Sequence, residues 1–181
     1  MKTRAAFTLI ELLIVMAIII VLAGLILATS GYVQTKGKRS RTEAEIAAMS
    51  AALESYKADN GVYPSDATTT EAFNPTSTAP AVYAAASQFL YKELSGDRDL
   101  DRVTDSGAKS YFPFKPNSLS PAPPSSAAVE AIRDPFGNSY GYSTMKAANL
   151  ASSGGYNPTF DLWSIADGPR GTDQSKWIKN W

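Results

Sequence analysis

The 181-residue chain contains no cysteine and no histidine. Without cysteine there is no disulfide framework and no thiolate nucleophile, and without both there is no zinc site of the Cys/His type. A Ser-His-Asp hydrolase is excluded because no imidazole is available as base. A Ser-Lys pair stays open on paper. Glycine-rich phosphate loops and internal repeats are absent too. Any metal would have to be held by oxygen, which points to calcium or magnesium. The length suffices for about one ordinary domain.

The formal net charge is zero, but the charges are unevenly placed. Residues 1–41 carry Lys2, Arg4, Lys36, Lys38, Arg39 and Arg41 against Glu11 alone, a net +5; the remainder carries −5. An acidic body argues against nucleic acid as a partner, because nucleic-acid binding needs a basic face. The basic cluster adjoins the most apolar stretch of the chain, which points to a membrane surface.

Phe7 to Ala28 is a run of 22 residues interrupted only by Thr8, Glu11 and Gly24. As a helix it would be roughly 33 Å long at ~1.5 Å per residue, enough to cross a bilayer core of ~30 Å. It exceeds the apolar centre of an ordinary signal peptide, and no clear A-x-A cleavage site follows it. A carboxylate inside such a helix costs several kcal/mol unless paired, so Glu11 marks function by default. A carboxylate near the interface, reaching headgroup water, is the simpler alternative.

The string Phe7-Thr8-Leu9-Ile10-Glu11-Leu12-Leu13-Ile14-Val15 resembles the processing segment of type IV pilins and type II secretion pseudopilins. The resemblance implies that a prepilin peptidase cuts between Ala6 and Phe7, that Phe7 is N-methylated, and that Glu11 guides assembly. Where the family usually has glycine before the cut, this chain has Ala6. Cleavage creates an α-amine that is largely cationic at neutral pH. An amine from one subunit meeting Glu11 of its neighbour would relieve both desolvation costs, so each subunit is expected to be satisfied only inside a polymer. Gly24 and Gly31 would allow close helix packing, or local melting, in a filament.

Beyond the basic cluster Lys36–Arg41, residues 39–60 read as an amphipathic helix. Ile46, Met49, Leu53 and Tyr56 share one face, and Asn60-Gly61 followed by Pro64 forms a stop. The phrase from Tyr56 to Pro64 also resembles pseudopilins. Residues 65–82 read as a loop, and 82–94 as a second helix with Tyr83, Phe89, Leu90 and Leu94 partly on one face. Residues 116–126 hold four prolines and read as another loop. Strands are expected at 111–114, with Pro113 marking an edge, and at 140–143 and 160–165, with a turn at 134–138.

Asp134-Pro135-Phe136-Gly137-Asn138-x-Tyr140 and Phe160-Asp161-Leu162-Trp163-Ser164-Ile165-Ala166-Asp167-Gly168 resemble strings of the major pseudopilin of type II secretion systems. The ending Ile178-Lys179-Asn180-Trp181 does so as well. In that family the loop after the last strand binds calcium, and the matching carboxylates here are Asp167 and Asp173. A second calcium candidate is Asp97, Asp99, Asp101 and Asp105, placed at positions 1, 3, 5 and 9 of an EF-hand-like loop. Arg102 stands where that loop needs glycine and Ala108 where it needs the closing glutamate, so a solvated polar loop is the simpler account.

The resemblance implies an α+β, pilin-like fold in which one long helix packs on a small antiparallel sheet. Its parts would be a leader (1–6), a transmembrane and assembly helix (7–30), an amphipathic helix (31–61) and a head (62–181) with an insertion at about 65–130. It implies a non-enzymatic subunit of a homo-oligomeric helical filament, anchored once in the inner membrane with its head in the periplasm. Partners would be minor pseudopilins, the inner-membrane secretion platform and the prepilin peptidase/methyltransferase. A type IV pilin for adhesion, motility or DNA uptake is the alternative, and a membrane-anchored enzyme or binding protein a remoter one.

Overall fold

The computed structural model describes residues 8–75, 80–168 and 174–181. Ala6, Phe7 and Asp173 lie outside the described residues. Helix α1 runs from Leu9 to Asn60. The chain divides into two compact units, residues 1–37 and 38–181, and α1 contributes to both.

From Leu12 to Leu27 the helix is apolar all round. From Leu9 to Leu27 every Leu, Ile, Val and Met is exposed, and the least exposed, Ile14, still shows 51% of its surface. A helix without a polar face cannot rest against water on any side; it needs lipid or other apolar helices around it.

In the second unit α1 does turn one face inward. Ile46, Met49 and Leu53 are buried and Tyr56 packs against the same core, as the periodicity predicts. The helix stops at Asn60 because Gly61 adopts a left-handed φ of +81° and returns its N–H to the Lys57 carbonyl at 2.7 Å.

Helix α2 spans Pro80–Ser95 and packs against the sheets. Strands β1 (Leu119–Ser120) and β2 (Ala131–Ile132) form an antiparallel pair. Strands β3 (Gly141–Ser143), β4 (Asp161–Ser164) and β5 (Ile178–Lys179) form an antiparallel sheet in the order β3-β4-β5. A single helical turn, α3, occupies Met145–Ala148.

All four residues of the central strand β4 are buried, because the period of two sends alternate side chains into two cores. Leu162 joins the core lined by α1, whereas Trp163 joins a second cluster with Phe73, Tyr83 and Trp177. Gly141 stands opposite Trp163 in the β3–β4 register. A Cβ at Gly141 would lie 2.1 Å from Trp163 Cε2. The indole cannot retreat, since it stacks on Phe73 at 5.6 Å and on Trp177 at 6.2 Å. Gly141→Ala is therefore expected to destabilise the head by about 3 kcal/mol, the upper end for overpacking, read as a lower denaturant midpoint at unchanged slope.

One expected strand does not form. Residues 111–114 are irregular, and the N–H groups of Tyr111 and Phe112 both donate to the Leu94 carbonyl at the end of α2 (2.7 and 3.0 Å). Pro113 has no N–H to offer a ladder, and the aromatic rings cover other rings instead: Tyr111 lies 5.1 Å from Tyr56, and Phe114 lies 5.2 Å from Tyr91. Conversely, the proline-rich stretch expected to be loop contains β1.

Candidate functional site

The amino-terminal segment carries the first candidate site. Thr8 occupies the N-cap of α1 and Glu11 the third helical position. The Glu11 N–H donates to Thr8 Oγ1 at 3.3 Å, and Glu11 Oε2 accepts from the Thr8 N–H at 2.8 Å. This is a reciprocal capping box, in which side chains satisfy helix N–H groups that have no carbonyl partner. The Thr8 hydroxyl donates to the same Oε2 at 2.8 Å. Thr8 is a capping residue that the sequence reading misses, although the spacing Thr-x-x-Glu before an apolar run is its signal.

Glu11 already accepts hydrogen bonds within its own subunit. Its charge is not neutralised there, because both donors are neutral dipoles and both bonds land on one oxygen. No described residue donates to Oε1.

The second candidate lies at the β4–β5 connection, and two separate sequence strings build it. Asp134 is buried. Its Oδ1 accepts from the N–H groups of Phe136 (2.9 Å) and Asn138 (2.8 Å), and its Oδ2 accepts the hydroxyl of Ser164. The Asn138 amide donates to the Ala166 carbonyl at 2.9 Å, and the Ala166 N–H donates to Ser164 Oγ at 2.9 Å. The Asp-Pro-Phe-Gly-Asn turn is thus the brace on which the end of β4 rests. Burial pushes the Asp134 carboxyl above its ordinary range, although its hydrogen bonds pull the other way.

Asp167, the first residue expected to hold calcium, projects from the turn closed by the Gly168 N–H on the Ile165 carbonyl. Its Oδ1 accepts from Arg39 Nη1 of α1 at 2.9 Å. The same nitrogen donates to the Lys176 carbonyl at 2.9 Å. Arg39, part of the basic cluster that follows the apolar run, forms an ion pair with Asp167 in the fold. Arg41 pairs with Glu45 at 2.8 Å.

The acidic loop gathers three of its four carboxylates. Oxygens of Asp97, Asp99 and Asp105 lie within 4.8 Å of one another, and Asp101 is not among them. The loop uses these oxygens itself. Asp97, fully buried, accepts from Tyr91 Oη (2.6 Å) and the Arg102 N–H (2.7 Å); Asp101 caps the Val103 N–H at 2.8 Å. Arg102 turns away to the carbonyls of Pro121 and Ala127. This is a self-capped polar loop.

Two family profiles match the chain. The prokaryotic N-terminal methylation motif matches residues 1–27, and protein G of the type II secretion system matches residues 32–98. Together the two matches fit a type IV pilin-like protein resembling protein G of type II secretion. No curated protein and no solved structure matches it. The methylation motif covers Thr8 and Glu11, and the second match covers the head portion of α1 together with α2. The pair of matches supports a type II secretion pseudopilin, and the type IV pilin alternative has no better support. That family is structural. The pseudopilin family implies assembly into a pseudopilus and processing by a prepilin peptidase, and the apolar helix within the motif match points to membrane anchoring.

Proposed function

We propose that this pseudopilin is cut between Ala6 and Phe7, N-methylated at Phe7, and held in the inner membrane by residues 7–30 with its head in the periplasm. There it polymerises with copies of itself and with minor pseudopilins on the inner-membrane platform. Growth of the filament moves folded proteins toward an outer-membrane channel. The subunit itself catalyses nothing.

One observation carries this reading: an all-apolar helix begins with a capped, negatively charged carboxylate three residues beyond the capping threonine. The capping box lies entirely after the proposed cut, so processing leaves it in place. The new α-amine then arises at the residue before Thr8. It is cationic at neutral pH and has no counter-ion in lipid except a carboxylate. Pairing in trans with Glu11 neutralises both charges in the low-dielectric layer.

An intact-mass spectrum of the protein, from cells containing its own prepilin peptidase, tests the proposal. The expected mass lacks residues 1–6 and carries one added methyl group. A full-length mass would mean that Ala6 blocks the cut. A product beginning near residue 30 would mean an ordinary signal peptide, and the assembly role of Glu11 would fall with it.

A further inference from the structure

The family resemblance implies calcium at the β4–β5 connection, and the described residues there do not fit it. A calcium shell takes about 6–8 oxygens and several negative charges. Asp167 already holds a guanidinium at hydrogen-bond distance, and among the described residues it belongs to no group of three acids that could share an ion.

We infer that Arg39 supplies the cation that ties this connection to α1, so that the pseudopilin head closes without calcium at Asp167. One nitrogen, Nη1, uses its two hydrogens on the two ends of the connection: Asp167 Oδ1 just after β4 and the Lys176 carbonyl just before β5, each at 2.9 Å. A divalent ion in such a loop does the same two things, neutralising a carboxylate and gathering a main-chain carbonyl. A guanidinium does both from a helix, with fixed geometry and a charge that pH does not remove. Arg39 is about two-thirds covered and Asp167 more than half covered, at side-chain exposures of 31% and 42%, so the pair is partly shielded from water. The inference concerns closure of the head and does not depend on how the filament assembles.

The test is thermal unfolding of the full chain in detergent, followed by near-ultraviolet circular dichroism, in millimolar calcium chloride or in EGTA. The aromatic cluster around Trp163 and Trp177 supplies the signal. The wild type is expected to melt at the same temperature in both. Arg39→Gln and Asp167→Asn are each expected to lower Tm by roughly 3–6 °C, and the double variant by no more than the larger single loss.

The acidic loop gathers three carboxylates of its own, so any calcium effect that arises there must be told apart, and Asp99→Asn separates the two. A calcium-dependent rise in Tm that disappears in Asp99→Asn and persists in Asp167→Asn leaves the inference standing. A rise that survives Asp99→Asn and disappears in Asp167→Asn overturns it. So does an Arg39→Gln variant that melts with the wild type.

Discussion

Glu11→Ala is expected to leave membrane insertion intact and to abolish filament assembly. Insertion depends on the apolar run, which loses a costly charge in this variant and gains an apolar residue. Assembly depends on the proposed neutralisation of the α-amine in trans. Removing one partner of a buried charge pair costs about 3–5 kcal/mol, which corresponds to a loss of association of about 10²-fold to several thousand-fold at each contact. The loss recurs at every subunit added, so filaments sheared from cells should fall below detection while the protein stays in the membrane fraction.

The capping box supplies a sharper version of this experiment. Glutamine at the third helical position can also reach back to the cap N–H, so Glu11→Gln keeps the helix start and deletes the charge. If charge pairing drives assembly, Gln fails as Ala does. Filaments from Glu11→Gln at normal yield, with none from Glu11→Ala, would refute the pairing and leave helix capping as the role of Glu11. Thr8→Ala is the complement: it removes the cap and keeps the charge, and it should weaken the start of α1 by about 1 kcal/mol without preventing assembly.

Asp134→Ala should be the most damaging single truncation among the hydrogen-bonded residues of the head. It leaves the N–H groups of Phe136 and Asn138 and the Ser164 hydroxyl without their acceptor. Each such loss costs about 1–3 kcal/mol, and partial repair by water brings the total to about 3–5 kcal/mol. For a chain of this size that lowers Tm by roughly 6–20 °C. Asp134→Asn keeps an oxygen for both N–H groups and disturbs only the bond to Ser164, so its cost should be about 1 kcal/mol.

The pH dependence has a definite sign. Burial raises the native Asp134 carboxyl above its ordinary value of 3.8, so the folded chain binds that proton more tightly than the unfolded chain. Stability from this group is therefore lost as pH rises from about 3.8 through the raised native value, and is constant above it. Asp161 is shifted the same way by its own burial. Asp66 runs oppositely: hydrogen bonds from Thr68 and Thr69 hold it at about 2, so its contribution is lost only as pH falls below the ordinary range. Denaturant titrations across this range should show a shallower decline in Asp134→Asn than in wild type, with the Asp161 part remaining.

Much of this molecule follows from local spacing. An unbroken apolar run has no other stable setting than lipid or packed helices. Thr8 and Glu11 cap a helix because they are three residues apart, and Gly61 ends it because glycine adopts the left-handed turn cheaply. The buried face of α1, the second helix, and strands β3 and β4 are all legible from periodicity. Strands β1, β2 and β5 are not, because two residues are too few to show a period. Residues 111–114 have strand composition, but the free carbonyl at the end of α2 captures their N–H groups.

Only the tertiary structure decided the partners of the charged and polar groups. Asp134 and Ser164 stand 30 residues apart, and Arg39 and Asp167 stand 128 apart. Nothing in local spacing joins such pairs; chain topology brings them together. It brought a guanidinium to the carboxylate expected to hold calcium, and it left the charge on Glu11 without a counter-ion among the described residues of its own subunit. The physical reason is the same in both places. A charge withdrawn from water must be neutralised, and the fold determines whether the partner comes from the same chain or from the next one.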